Sequence, residues 1–119
     1  MQIWTRRVYD APGAQDGTRI LVDRVWPRGI SKLRAQLHGW YPEVAPSTAL
    51  RRWFGHDPAR WDGFKQRYGA ELDANPDAVG RLQAVARQGR LTLLFGARDA
   101  THNNAVALRE YLLHKALQR

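Results

Sequence analysis

Cysteine is absent from the sequence, and its absence excludes several classes of function. The chain can form no disulfide bond, and it has neither a thiolate nucleophile nor the ligands of an iron–sulfur cluster. Histidine is scarce, and the paired spacing of metal ligands is missing from the 4 that are present: His38, His56, His102 and His114. We therefore expect neither a metal site nor another cofactor.

Long apolar runs are also missing. The N-terminal stretch MQIWTRRVYD lacks the apolar segment of a secretory signal, and no later run approaches the length that crosses a bilayer. These absences predict a cytoplasmic protein that makes no membrane contact. Walker, GxGxxG and GxSxG motifs do not occur, so the common nucleotide-binding and hydrolase signatures give no guide to function.

Positive charge, by contrast, is present in excess. The chain has 19 Lys and Arg residues against 11 Asp and Glu residues, a formal net charge of +8, which favours anionic partners. Most of these cations are arginines scattered along the chain, so biased genomic composition can account for part of the excess. A nucleic-acid-binding or regulatory module that uses this diffuse charge is therefore the alternative and not the leading interpretation. No pattern in the sequence indicates an oligomeric state.

Apolar runs alternate with turn formers in a way that predicts one domain over residues 1–119. Strands are predicted at 2–8, 19–25 and 91–95, and the last two are apolar enough to be covered on both faces. The segment 9–18 between the first two strands is rich in turn formers and too short for a helical crossover. With 44% hydrophobic residues, the chain can bury a core without a metal or a disulfide.

Cap residues and apolar stripes at helical spacing predict five helices. The stripes, in chain order, are Leu33, Leu37 and Trp40; Leu50, Trp53 and Phe54; Trp61, Phe64, Tyr68 and Leu72; Val79, Leu82, Val85 and Ala86; and Leu108, Leu112 and Ala116. Ser31 and Ser47 are the predicted N-caps of the first two helices, and Asp57 and Asn75, each followed by proline, open the next two. The predicted fold is α/β, a small and mainly parallel sheet of three or slightly more strands covered by about five helices.

Two polar clusters lie at the carboxyl ends of the second and third predicted strands. The first is Asp23, Arg24, Trp26, Pro27 and Arg28, and the second is Arg98, Asp99, His102, Asn103 and Asn104. Because ligands bind beyond the carboxyl ends of parallel strands, we expect both clusters to line one crevice. The second cluster also opens the last helix, whose free N–H groups and dipole attract anions. The arginines add forked donors that suit phosphate or carboxylate.

Several of these residues also have a purely structural interpretation. Asp23 and Arg24 can form ion pairs with the second cluster, which would leave a polar network without a ligand. Trp26 can seal the end of the core, and Thr101 or Asn103 can act only as a helix cap.

The segment 53–64, WFGHDPARWDGF, is rich in aromatic rings and places His56 beside Asp57. Its spacing favours a junction between two helices in which the rings pack against one another. A stacking platform for nucleic-acid bases is the alternative.

Four blocks of the chain together resemble a known family: RRVYD, LVDRVWPRGIS, WFGHDPARWDGFKQRY and LLFGARDATHNNAVALREYL. They are similar to the short, YeaO-like branch of the domain of unknown function 488 (DUF488) family. The resemblance covers nearly the whole chain and implies a bacterial α/β protein without a settled biochemical role. Longer relatives carry cysteines where this chain has Phe95 and Asn103, so the resemblance implies no thiol chemistry here. It preserves Asp23, Pro27, Arg28, Arg98 and Asp99.

The leading hypothesis is a protein that binds a small anionic, phosphate-bearing ligand between the two strand-end loops. Arg28 and Arg98 are the expected anion clamps, and Trp26 is the expected apolar wall. If the ligand is also transformed, we expect hydrolysis or group transfer, with His102 as acid or base and Asp23 as its orienting partner. The predicted ligand-binding set is completed by Arg24, Asp99, Asn103 and Asn104.

Overall fold

A parallel β-sheet forms the centre of the computed structural model, which describes residues 1–118. Its strands are β1 (Ile3–Arg7), β2 (Thr18–Leu21), β3 (Gly39–Trp40) and β4 (Leu91–Phe95). They lie in the order β1-β4-β2-β3, and all three pairings are parallel. Every residue of β4 is buried, because this strand is central and covered on both faces. The predicted α/β fold with a parallel sheet is therefore confirmed, with four strands in the described part of the chain.

Five α-helices cover the sheet within residues 1–118: α1 (Lys32–Ala35), α2 (Thr48–Phe54), α3 (Trp61–Asp73), α4 (Pro76–Gln88) and α5 (Asn104–Leu117). Short 3₁₀ turns at Pro42–Val44 and Pro58–Arg60 precede α2 and α3. Within residues 1–118, no helix has both the length and the apolarity needed to span a bilayer.

The two faces of the sheet are covered unequally. Leu93 and Phe95 belong to a large core with side chains from α2, α3, α4 and α5, whereas Leu94 belongs to a small one with Leu21 and Ala35. Neighbours along a strand point to opposite faces, so the long helices cover one face and α1 with its adjoining loops covers the other. The core on this second face is therefore the smaller of the two, and its strand residues lie near the carboxyl ends of their strands.

The second strand is shorter than predicted and ends at Leu21 instead of residue 25. Val22 still donates its N–H to the carbonyl of Leu94, at 3.1 Å. The next contact to β4 is made by a side chain, because the carboxylate of Asp23 accepts the N–H of Gly96 at 2.9 Å. The strand therefore ends where the backbone ladder gives way to a side-chain contact.

The predicted helix over Leu33, Leu37 and Trp40 is wrong. Ser31 does cap α1, but this helix is a single turn that ends when Gln36 adopts a left-handed conformation (φ 48°), and Leu33 is 84% exposed. The chain then forms β3, which pairs with the open edge of β2. Gly39 permits this approach, since a Cβ there would lie 3.0 Å from the Tyr41 ring.

The predicted openings of α3 and α4 differ in detail. Asp57 caps the 3₁₀ turn, where its carboxylate accepts the N–H of Ala59, and α3 itself begins at Trp61. Asn75 makes no side-chain cap for α4 and donates instead to the carbonyl of Glu43, at 2.8 Å. The amide therefore fixes the loop before α2 to the start of α4.

Candidate functional site

A cleft of about 590 Å³ opens at the carboxyl edge of the sheet. Its volume is in the range of small-molecule sites. The loops that follow β1, β2 and β4 line it, together with α2 and the start of α5. The two predicted polar clusters therefore do approach each other, but α2 contributes a third wall that the sequence analysis did not include.

The floor of the cleft is a bridge between the two strand-end loops. The Asp23 carboxylate accepts the N–H of Gly96 through Oδ2, at 2.9 Å, and the Asn104 amide nitrogen through Oδ1, at 3.1 Å. The same amide nitrogen also donates to the carbonyl of Val22, at 3.0 Å. A Cβ at residue 96 would lie 3.0 Å from Oδ2 of Asp23 and 3.3 Å from Pro27, so glycine permits this close approach.

Burial raises the pKa of Asp23 above its ordinary value. The hydrogen bonds from Asn104 and Gly96 and the positive charge of Arg51 oppose this rise without cancelling it. The cleft therefore holds a partly desolvated carboxyl group in a fixed position.

Exposed arginine side chains also line the cleft. Arg51 and Arg52 come from α2 and Arg28 from the loop after β2, and all three side chains are exposed. Within residues 1–118, none of the three takes part in an ion pair. Their guanidinium groups are therefore available to an anion that enters the cleft.

Arg24 lines the cleft but has a structural task. Its guanidinium donates to the carbonyls of Pro46, at 3.2 Å, and Ala45, at 3.1 Å. These bonds hold the loop before α2 against the loop after β2. Arg24 thus fixes the position of the wall that carries Arg51.

The second predicted clamp, Arg98, is exposed and does not line the cleft. The residue after it, Asp99, is also outside the lining and accepts hydrogen bonds within its own turn. The proposed ion-pair network between the two clusters does not form, because Asp23 and Arg24 both bind other partners. The loop after β4 therefore turns its guanidinium away from the site.

His102 lines the cleft, but its orienting partner is Asp99 and not Asp23. Nδ1 of the ring lies 2.9 Å from Oδ2 of Asp99 and 3.0 Å from Oγ1 of Thr101, and the ring packs edge-on against Trp61. Hydrogen bonds from the Thr101 N–H and from His102 hold the pKa of Asp99 well below its usual range. Asp99 is the partner because it lies three residues before His102 in the same loop, whereas Asp23 is already bound to Asn104.

Asn103 is the N-cap of α5, in agreement with its structural interpretation. Its Oδ1 accepts the N–H of Val106, at 3.0 Å, and its Nδ2 donates to the carbonyl of Asp99, at 2.9 Å. Trp26 stands at the side of the cleft, where its Nε1 donates to the carbonyl of Ile30 and its ring packs edge-on against Trp40. Both side chains border the cleft, and each already donates one hydrogen bond to a backbone carbonyl.

The sequence analysis missed Arg51, Arg52 and His56 as cleft residues. The stripe of Leu50 and Phe54 shows that the two arginines lie on the outer side of α2, but it does not show which neighbour they face. The aromatic segment around His56 packs as predicted, since the Phe54 and Phe64 rings stack at 4.5 Å. Among residues 1–118, no group of three His, Asp or Glu side chains is arranged to hold a metal ion.

The layered parallel sheet with a polar cleft at its carboxyl edge defines a small α/β domain. The chain belongs to the DUF488 family, since residues 2–119 match the family model described as the inactive DUF488-N3 subclade. It is 42% identical over 112 residues to the uncharacterized protein YeaO of Escherichia coli, covering 94% of this chain and 97% of that protein. It is 37% identical over 106 residues to the uncharacterized proteins Rv3073c of Mycobacterium tuberculosis and Mb3100c of Mycobacterium bovis, covering 89% of each chain. No solved structure matches the chain significantly.

Proposed function

We propose that the protein binds a small phosphate-bearing anion in the strand-end cleft without transforming it. The observation that carries the proposal is the set of three cleft arginines without a carboxylate partner in residues 1–118: Arg28, Arg51 and Arg52. Guanidinium groups offer paired donors that match phosphate oxygens. A phosphate group would meet these donors without breaking an existing ion pair.

Binding is favoured over catalysis by the chemistry of the lining. The chain has no cysteine, and the hydroxyl of Tyr9 already donates to the carbonyl of Arg28, at 2.6 Å. Asp23 and His102 are each held by other residues, so they do not form the acid–base pair that group transfer was expected to use. The description of the matching subclade as inactive is in keeping with a binding role. The role of His102 as acid or base, which was expected to have Asp23 as its orienting partner, stays a prediction for a turnover assay.

The proposal is tested by titrating pyrophosphate and inorganic phosphate into the protein while its thermal unfolding is followed. We expect the wild type to be stabilised and an Arg51→Ala, Arg52→Ala double variant to bind at least about tenfold more weakly, because each charged hydrogen bond contributes about 1.5–3 kcal/mol. The matched control is Arg34→Ala with Arg87→Ala, which removes the same charge from exposed residues outside the cleft. A wild type that neither anion stabilises would refute the proposal.

The same variants separate this proposal from nucleic-acid binding through diffuse charge. A diffuse field depends on total charge, so both double variants would then weaken binding to an oligonucleotide equally and with a steep dependence on salt. A local site predicts a loss in the cleft variant alone.

A further inference from the structure

The cleft lining holds both hydrogen-bond donors and hydrogen-bond acceptors. Arg51 and Arg52 come from α2 and Arg28 from the loop after β2, whereas the floor carries the carboxylate of Asp23 and the side chain of Asn104. The amide nitrogen of Asn104 has two acceptor partners, Val22 O and Asp23 Oδ1, and this pairing fixes which end of the amide is which. The amide oxygen makes no hydrogen bond within residues 1–118 and is left as an acceptor.

A simple anion would use only the arginines of this cleft and leave its floor without a partner. A phosphate on the floor would meet the Asp23 carboxylate and be repelled, whereas the same phosphate beside Arg51 and Arg52 would be attracted. The carboxylate oxygens each keep a lone pair beyond the bonds from Gly96 and Asn104, so the floor can still accept hydrogen bonds. A ligand group that donates hydrogen bonds is therefore the one that suits the floor.

We propose that the ligand is a phosphomonoester whose far end carries hydroxyl or amino donors. Its phosphate binds Arg51 and Arg52, with Arg28 beside them, and its donors bind Asp23 and the free oxygen of Asn104. The inference rests on the proposed function and names the chemical class that this function takes. Sugar phosphates and nucleoside monophosphates share this chemistry.

The size and walls of the cleft agree with such a ligand. A volume of about 590 Å³ is larger than inorganic phosphate needs and matches a small organic molecule. Trp26, Pro27, Phe54 and Phe64 contribute apolar surface to the lining. Trp26 is the least buried of the four, so its ring can pack against the face of a sugar ring or a base.

The test compares ligands of equal charge on the unmodified protein by isothermal titration calorimetry. Ethyl phosphate has no donor at its far end, ribose 5-phosphate adds hydroxyl groups, and adenosine 5′-monophosphate adds hydroxyl groups and an amino-bearing base. We expect at least one of the two donor-bearing compounds to bind about tenfold or more tightly than ethyl phosphate, and the stronger of them identifies the source. Equal affinity for all three compounds would overturn the inference.

An Asp23→Asn variant tests whether Asp23 is responsible for the preference for donor-bearing compounds. We expect it to lose the preference for the donor-bearing compound while its affinity for ethyl phosphate is unchanged or increased, because a negative charge leaves the floor. A uniform change for all three compounds would show that Asp23 acts only through its charge and would overturn the inference. If the variant does not fold, the ligand comparison on the wild type decides alone.

Failure of the inference and failure of the proposed function give different results. Tight binding of pyrophosphate and ethyl phosphate with no gain for ribose 5-phosphate or adenosine 5′-monophosphate rejects the ligand class and leaves anion binding in place. Absence of binding by every phosphate compound rejects both.

Discussion

Asp16 is a loop residue whose side chain is buried, at 2% exposure, beside the equally buried guanidinium of Arg19, at 4%. Its carboxylate also accepts from Arg6, at 2.9 Å, and from the N–H of Gly13, at 2.9 Å. Arg19 in turn donates to the carbonyl of Ala35, at 2.8 Å. This small ion cluster joins the loop after β1 to α1. Only a turn was predicted for the segment that contains Asp16, because no local pattern in the sequence indicates that Arg19 of β2 is buried against it.

Replacing Asp16 with alanine should destabilise the protein by about 3–5 kcal/mol, because Arg19 is left buried without its counter-ion. Burial alone would raise the pKa of Asp16, but hydrogen bonds from Gly13 and from the guanidinium groups of Arg6 and Arg19 outweigh it and lower that pKa. Since the folded state holds this carboxylate ionised, its contribution is present above the unfolded pKa and is lost as the pH falls through the folded one. Urea unfolding at pH 7 and pH 3 should show a smaller gap between wild type and variant at the lower pH. An equal gap at both values would contradict this account.

Asp23 should show the opposite dependence on pH. Burial raises its pKa in the folded state, so ionisation costs stability above the unfolded pKa, and the cost grows until the pH passes the raised value. An Asp23→Asn variant loses a hydrogen bond at every pH, because its amide NH₂ must face a donor, Gly96 or Asn104. It avoids the charge penalty, however. We therefore expect the variant to be closer in stability to the wild type at pH 7 than at pH 3, and a gap that widens at pH 7 would refute the assignment.

Single residues were predicted well where their partners are close in sequence. Ser31, Ser47 and Asn103 each cap a helix through an N–H three residues later, as their positions suggested. The partner of His102 was predicted incorrectly, although Asp99 lies only three residues away. The sheet geometry suggested that Asp23, which is distant in sequence, would be the partner. The ring instead binds the carboxylate of Asp99, which is close in sequence.

At the scale of elements, the strongest predictions concern segments with an uninterrupted pattern. The strand 91–95 is almost entirely apolar, and α3 and α5 each keep an apolar face over several turns. The side chains that these elements bury could therefore be predicted from their spacing. The segment after Ser31 has an equally helical spacing but forms one turn and then β3. Its conformation is decided by the free edge of β2, which no local pattern reveals.

The end of α1 offers an element-scale prediction. Gln36 is exposed and takes a left-handed conformation (φ 48°), which costs a residue with a Cβ about 1–2 kcal/mol. A Gln36→Gly variant avoids this cost but loses about 0.5–1 kcal/mol through the greater freedom of the unfolded chain. We expect a net gain of about 0.5 kcal/mol in chemical denaturation. The control Gln66→Gly, at an exposed position inside α3, should lose about 1 kcal/mol, and a loss at both positions would contradict the prediction.

The start of α2 connects stability with binding. The Ser47 hydroxyl accepts the N–H of Leu50 and donates to Glu71, at 2.7 Å, and its own N–H donates to the same carboxylate, at 2.8 Å. A Ser47→Ala variant should lose about 1–2 kcal/mol of stability, and pyrophosphate should bind it more weakly because the helix that carries Arg51 is less well fixed. The control Ser31→Ala removes a comparable cap outside the cleft lining and should keep its affinity. If pyrophosphate bound both variants with unchanged affinity, the capping of α2 by Ser47 would not affect binding, and the prediction would be contradicted.

At the scale of the whole molecule, the convergence of the two strand-end loops could be anticipated because parallel strands present their carboxyl ends at one edge. The third wall could not, since α2 reaches the cleft only through packing on α3 and the contacts of Arg24. The excess of positive charge in the sequence did not indicate which arginines would line one site. Arg51 and Arg52 on α2 line the same cleft as Arg28 on the loop after β2, whereas Arg98 lies outside that lining.

The sheet order also predicts how stability is distributed. The five residues of β4 are at most 2% exposed, and this strand lies between β1 and β2 and pairs with both, whereas β3 has two residues at the sheet edge. In native-state hydrogen exchange, we therefore expect the amide of Leu93 to exchange only through global unfolding, with the free energy found by denaturation. The N–H groups of His38 and Tyr41, which hold β3 to β2, should exchange through local opening at a lower free energy. If these amides instead shared the value of Leu93, α1 and β3 would unfold only with the core, and this edge of the fold would be as stable as its centre.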